Sequence, residues 1–222
     1  DWIFVTEDNG KCDMFNLQPV LFEQIEEAIA YANTFTLPGK EDKVMVTLNP
    51  PKLKGGEIIF YMPKIVPGTY AIADYGRMVS NFKAFDKRGN ELEVTRLDDN
   101  SWKIIKPRKV EKITYWVEDT YDTKKPGPEI FQPAGTNIEE DKNFIINTAG
   151  FFGYFEGMKK EEFQIRFLRE KEFYGATGLE YSEIQPEVGI ISEEKVEMVP
   201  YGADRFDVED YDRLIDSPIM FS

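Results

Sequence analysis

The chain has no histidine and one cysteine, Cys12. Without imidazole there can be no His-Glu-x-x-His zinc site, no Ser-His-Asp triad and no histidine general base. A single thiol forms neither an internal disulfide nor a Cys-x-x-Cys metal pair. With no histidine to activate it, Cys12 reads as a small buried hydrophobe rather than a nucleophile. Positive charge is also scarce: 27 Lys and Arg face 41 Asp and Glu, and the net charge of −14 repels phosphate backbones and anionic lipid surfaces alike. Nucleic acid is therefore a poor partner. No apolar run approaches the roughly 18 residues of a membrane span. The chain opens at Asp1 with neither Met nor an apolar leader. The expectation is a processed or trimmed product, such as an exported or periplasmic protein whose signal peptide has been removed; composition itself assigns no compartment.

What is present is apolar bulk: 41% of residues are hydrophobic and 14% aromatic, with 17 Phe, 11 Tyr and 3 Trp, enough to fill a sheet-on-sheet core. We expect one main domain over 41–222, mainly β and built as an antiparallel β-sandwich, behind a short extension over 1–40. In the extension, Trp2 to Val5, the turn Asp8-Asn9-Gly10 and the piece through Met14 and Phe15 read as a hairpin. A helix follows, with Pro19 in its first turn and Leu21, Ile25, Ala28, Ile29 and Ala32 at helical spacing, ending near Asn33.

From Lys43 the period changes to two. Val44, Val46 and Leu48 alternate, Ile58 to Tyr61 is a strand, and Val110, Ile113, Tyr115 and Val117 alternate again, as do Phe163, Ile165 and Phe167. Between them, Val79–Phe85, the turn Asp86–Asn90, Leu92 and Val94, the turn Asp98–Asn100, and Trp102 and Ile104 read as an antiparallel meander. Residues 119–142, with Pro126-Gly127-Pro128 and Pro133, lack periodicity and form a long loop, a binding element or a solvated connection. Beyond Leu179 the chain turns acidic and irregular.

Several clusters could carry chemistry. Asp207, Glu209, Asp210 and Asp212 offer oxygen ligands for Ca²⁺ but lack the spacing of a calcium loop, so a solvated face is favoured. Glu139-Glu140-Asp141 and Glu193-Glu194 would need a partner carboxylate about 5 to 10 Å away to act as a glycosidase pair, and adjacency in sequence does not provide that. Gly150, Gly153 and Gly157 do not match a phosphate loop. The block Phe151-Phe152-Gly153-Tyr154-Phe155-Glu156-Gly157 is the sharpest stretch; its structural reading is a buried strand and turn.

The stretch from Tyr61 to Lys103 organises the rest. It holds Pro67-Gly68-Thr69-Tyr70, where Pro67 fixes φ and Gly68 permits a turn, then Asp74-Tyr75-Gly76-Arg77, then Asn100-Ser101-Trp102. With Asn147–Gly157, Ala176-Thr177-Gly178-Leu179 and Tyr211-Asp212-x-Leu214-Ile215-Asp216-Ser217-Pro218 in the same order, this pattern over roughly 43–220 resembles the N-terminal domain of the M61 metallopeptidases, the glycyl aminopeptidases. Ile65-Val66 stands where the family usually has Trp-Thr, and Ala73 where it usually has Arg. The resemblance implies a non-catalytic domain that shapes a substrate pocket, with Pro67, Gly68, Tyr70, Asp74 and Arg77 as structural motif residues and Glu156, Tyr154 and Phe152 as substrate-binding positions. It implies no catalytic residue, metal or cofactor in this chain. Zinc and the chemistry are expected in a catalytic domain after Ser222, which would remove N-terminal Gly or Ala from peptides. The alternative is a stand-alone β-sandwich module that binds carbohydrate or a protein partner.

Overall fold

The computed structural model describes residues 31–36, 42–66, 69, 71–139, 142–170, 173, 175–179, 181–192, 195–215 and 218–221, with the backbone alone for 31–36, 168–170, 181–192 and 195–205. The hairpin expected before Phe15, the body of the helix after it, Cys12 and the Pro67, Gly68 and Tyr70 positions lie outside the described residues. The chain is mainly β. Its strands are β1 (Tyr31–Thr36), β2 (Lys43–Asn49), β3 (Glu57–Tyr61), β4 (Val79–Phe85), β5 (Val94–Asp98), β6 (Ser101–Ile105), β7 (Lys112–Glu118), β8 (Asn137–Glu139), β9 (Asn143–Ile146), β10 (Tyr154–Phe155), β11 (Phe163–Glu170), β12 (Gly175–Thr177), β13 (Tyr181–Ser192), β14 (Lys195–Val208) and β15 (Ile219–Phe221).

They form a seven-stranded sheet, β13-β14-β11-β1-β2-β7-β4, and two four-stranded sheets, β10-β3-β6-β5 and β12-β15-β9-β8. Alternation explains the core. Val44, Val46 and Leu48 of β2, Ile113, Tyr115 and Val117 of β7, and Phe163, Ile165 and Phe167 of β11 all point inward and are buried. They meet Phe60 of β3, Trp102 and Ile104 of β6, Phe155 of β10 and Phe144 and Ile146 of β9 in one cluster shared by the three sheets. Phe60 is central, with ring centroids 5.2 Å from Phe82 and Phe155 and 6.1 Å from Tyr115. Burying this much aromatic surface supplies the main driving force for folding.

Three expectations need correction. The meander is split: β6 pairs with β3 and β5, but β4 crosses to β7 in the large sheet, and its backbone meets the segment before β5 at a bridge between Phe85 and Glu91. Alternation shows which face is buried, not which strand lies beside it. The helix does not reach Asn33, because from Tyr31 the backbone is strand, parallel to β11 and antiparallel to β2. Pairing on both sides outweighs the helical spacing of a few residues. The irregular acidic segment is a long hairpin, β13 and β14. Of its prolines, Pro186 is on edge strand β13 within a register shift, and Pro200 stands opposite Gly189 of β13, one residue beyond the last β11–β14 pair, Glu170 with Tyr201.

Candidate functional site

Asp74 and Arg77 frame a short 3-10 turn, Tyr75–Met78, on the connection from β3 to β4. Asp74 sits in the left-handed region at φ 49, and its carboxylate accepts the Asn100 amide at 2.7 Å. The same Asn100, buried in the turn just before β6, accepts the Gly76 N–H at 3.0 Å. Arg96 of β5 then donates to the Gly76 carbonyl at 2.9 Å and the Asp99 carbonyl at 3.0 Å. Arg77 reaches the other way. It donates to the Ala73 carbonyl at 3.1 Å, to that of Pro126 at 3.2 Å and to that of Pro128, while Lys125 donates to the Arg77 carbonyl at 2.9 Å. The two motif residues thus tie the β3–β4 turn to the small sheet on one side and to the long loop on the other. Pattern reading placed Asn100 in a turn and in the Asn100-Ser101-Trp102 motif without a partner and missed Arg96, since both act over some 20 residues of sequence.

The long loop is itself held. Asp119 is buried and accepts backbone N–H groups of Tyr121, at 2.5 Å, and of Ile138. Burial raises its pKa, with the two amide bonds opposing and Asp122 adding repulsion. Thr120 and Thr136 bond reciprocally, and the Tyr75 hydroxyl donates to the Ala134 carbonyl at 2.6 Å, its own pKa pushed up to about 12 by burial.

The aromatic block begins as a helical turn, Thr148–Phe151, capped by the Asn147 side chain, which accepts from Ala149 at 3.1 Å. Phe152 follows, fully buried, and its carbonyl accepts the hydroxyl of buried Tyr211 at 2.7 Å. The Tyr115 hydroxyl donates to the Phe151 carbonyl at the same distance. Tyr154 and Phe155 pair with Tyr61 and Phe60, and the chain then turns at Glu156-Gly157, where the Glu156 N–H donates to the Ile59 carbonyl at 2.9 Å. Gly157 has φ 74.

The structure places the three positions differently. Phe152 is core, Tyr154 is half-buried and Glu156 is exposed. Tyr154 lies 5.7 Å from the Tyr61 ring and 4.7 Å from that of Tyr211. The Lys159 ammonium rests over the Tyr154 ring at 4.4 Å and the Tyr211 ring at 5.4 Å. Partial burial raises the Tyr61 pKa, with Glu156 the next contributor, so the Glu156 charge is felt at this aromatic surface. A carboxylate beside aromatic faces is a surface suited to a cation. The sequence reading names Tyr211 only as the start of a motif and passes over Lys159; that both meet Tyr154 depends on the fold, which brings Tyr211 to it across 57 residues. The Tyr211 N–H bonds the Lys159 carbonyl at 3.0 Å, and Tyr211 opens a turn, Tyr211–Leu214, capped by Asp210.

The donor set does not fit zinc. Among the described residues no three His, Cys, Asp or Glu side chains group around a point that could hold a metal ion. In the acidic tail, Asp210 and Asp212 are engaged by Lys160 at 2.7 and 3.0 Å, and Glu139 pairs with Lys142 at 3.2 Å.

Comparison with curated proteins gives no match. Among solved structures, an aminopeptidase N family protein from Idiomarina loihiensis is similar at TM-score 0.65 and 18% identity, over 86% of this chain and 29% of that one. A substrate-bound M1 zinc metallopeptidase from Deinococcus radiodurans gives TM-score 0.45 at 12% identity, over 87% of this chain and 41% of that one. Leukotriene A4 hydrolase from Saccharomyces cerevisiae gives 0.38 at 11%, over 86% and 28%. The chain thus spans less than a third of the Idiomarina protein. Residues 36–222 match the peptidase M61 N-terminal domain, and the chain belongs to that family.

Proposed function

We propose that this domain is the non-catalytic wall of the substrate pocket in a zinc aminopeptidase whose catalytic domain follows Ser222. Family membership supports the setting, and the observation that carries the role is Glu156, an exposed carboxylate on the turn leaving β10, beside the half-buried Tyr61 and Tyr154. The same aromatic surface already carries one ammonium group, that of Lys159. In this reading Glu156 pairs with the free amine of a peptide's first residue, Tyr154 lines the approach and Phe152 sets the backbone from the core. The small N-terminal residue, Gly or Ala, comes from the resemblance, and the zinc belongs to the other domain.

A charge-assisted contact shielded from water is worth roughly 1.5 to 3 kcal/mol, so Glu156→Ala in the complete protein should weaken free-amine peptides by about ten- to a hundredfold and leave N-acetylated ones unchanged. Equal loss on both, or none on either, removes Glu156 from the site. The gene beyond Ser222 separates the readings: a His-Glu-x-x-His segment with a downstream Glu sustains the peptidase, and its absence favours a stand-alone binding module.

A further inference from the structure

The net charge of −14 argues against an anionic partner only if charge is spread evenly, and it is not. Residues 49–56, leading from β2 to β3, and 106–110, leading from β6 to β7, carry Lys52, Lys54, Lys106, Arg108 and Lys109 with no acid among them, which leaves 22 cations against 41 anions in the rest of the chain. The fold sets these two loops side by side. The Lys106 N–H donates to the Gly56 carbonyl at 2.9 Å and the Asn49 side-chain amide donates to the Glu111 carbonyl at 2.8 Å, so the loops are tied to each other at both ends. Leu53 and Pro107 anchor them in the interior, while all five cations are exposed and none has an ion pair among the described residues. Of the acids that border the loops, Glu57 is engaged by Lys103 at 3.7 Å and Glu111 by Lys87 at 3.9 Å, and Glu93 stands alongside, its carbonyl accepting from Ile105 at 3.1 Å. Lys106 holds a left-handed backbone, φ 57, where glycine would be easier, and its carbonyl accepts from Lys109 at 3.0 Å.

We infer that this end of the sandwich is a docking surface for a bilayer of anionic phospholipid. Three features select that occupant. A protein interface needs an apolar centre, and none of the exposed large hydrophobic side chains among the described residues lies on these loops. Nucleic acid is gripped by aromatic side chains that stack on bases and by amides that read them; the loops hold no aromatic, and their one amide, Asn49, is engaged by Glu111. What is left is a lysine-rich set of long, hydrated cations on fixed backbone, which suits a plane of fluid headgroups that offers charge without fixed geometry. The acidic remainder does not cancel it. Strand β7 alone carries the fold seven residues, roughly 23 Å, away from this end, and charge is screened within about 8 Å at physiological salt.

The test is co-flotation of the 222-residue chain with phosphatidylcholine vesicles, with and without about one third phosphatidylserine. Binding should require the phosphatidylserine and vanish at about 1 M salt, where the screening length falls to about 3 Å. Each cation near such a surface strengthens binding by about fivefold, so Lys54→Gln, Arg108→Gln and Lys109→Gln together should weaken it by about a hundredfold. All three positions are exposed, and the triple variant should melt like its parent. Lys106→Gly removes one charge while relieving the left-handed backbone; it should bind about fivefold more weakly and melt no lower than the parent. Lys124→Gln, at an exposed lysine beyond the other end of β7, changes nothing. Equal binding to neutral vesicles, no binding to either kind, or binding that the triple variant leaves intact overturns the inference. Tighter binding to double-stranded DNA or to polyglutamate than to the anionic vesicles assigns the surface to a nucleic acid or an acidic polypeptide, and displacement by inorganic phosphate at constant ionic strength assigns it to the free anion; each overturns the lipid assignment.

Discussion

Gly153 is the most demanding position in the aromatic block, and its replacement by alanine tests the packing directly. A Cβ there would lie 2.3 and 2.4 Å from Cζ and Cε1 of Phe60 and 2.5 Å from the Tyr61 carbonyl oxygen. Carbon atoms pack at about 3.5 to 4.0 Å, so something must move by roughly 1 Å. Neither neighbour can do so cheaply: Phe60 is enclosed by Phe82, Trp102, Tyr115 and Phe155, and the Tyr61 backbone belongs to the β3 ladders with β6 and β10. Overpacking of this kind costs about 3 kcal/mol, offset by up to about 1 kcal/mol from the stiffer unfolded chain. The net loss of about 2 kcal/mol corresponds to about 4 to 8 °C in Tm for a domain of this size. Gly157→Ala is the internal comparison: its Cβ would meet nothing within 4 Å, and only φ 74 opposes it. That strain, about 1 to 2 kcal/mol before the same offset, leaves a shift of about 0 to 4 °C. Thermal unfolding followed by circular dichroism measures both. If Gly153→Ala melts at or above Gly157→Ala, the close approach of Phe60 to the block is wrong and the argument fails with it.

Tyr211→Phe withdraws one buried donor from the Phe152 carbonyl while keeping the ring, and should lower stability by about 0.5 to 1.5 kcal/mol in denaturant titration; a loss beyond about 3 kcal/mol would mean that more than a hydrogen bond had gone. Asp119 has its pKa raised in the folded chain, so folding binds its proton more tightly than the unfolded chain does. Its contribution is therefore fully present below the ordinary aspartate pKa of about 3.9 and is lost as pH rises through the folded value. Relative to Asp119→Asn, the parent should lose stability across that rise, and a relative gain would reverse the assignment. After dialysis the 222-residue chain should hold well under one zinc per molecule, and a stoichiometric, tightly held ion would overturn the placement of the metal in another domain.

Much of the sandwich was legible because strands β2, β7 and β11 bury one face each, and Val44, Ile113 and Phe163 repeat at period two. The turn at Asp86 was legible for a local reason: its carboxylate accepts the N–H groups of Arg88 and Asn90, both at 2.9 Å. What failed was non-local. Nothing in Val79–Phe85 announces that β4 will pair with β7, and Asn81, in the left-handed region at φ 50, sits in the register shift within that pairing. The β13–β14 hairpin was hidden by prolines whose tolerance depends on which strand is at the edge. At the candidate surface, the pattern named Tyr154 and Glu156 but held no sign that the Lys159 ammonium lies over the Tyr154 and Tyr211 rings.

The parallel pairing of β1 with β11 has a consequence for how the protein is made. Tyr31 and Phe163 are more than 130 residues apart, yet they lie side by side in the middle of the seven-stranded sheet. At translation speeds of 5 to 20 residues per second, β1 waits roughly 7 to 26 s on the ribosome for its second neighbour, with β2 alone beside it and its other edge open. An unpaired edge is a template for strand addition from other chains, so the nascent protein passes through a window in which a chaperone would matter most. A version trimmed to begin at residue 36, where the family match starts, would never close that window: β2 and β11 would be left facing an empty lane in the centre of the sheet, and aggregation rather than simple instability should be its fate.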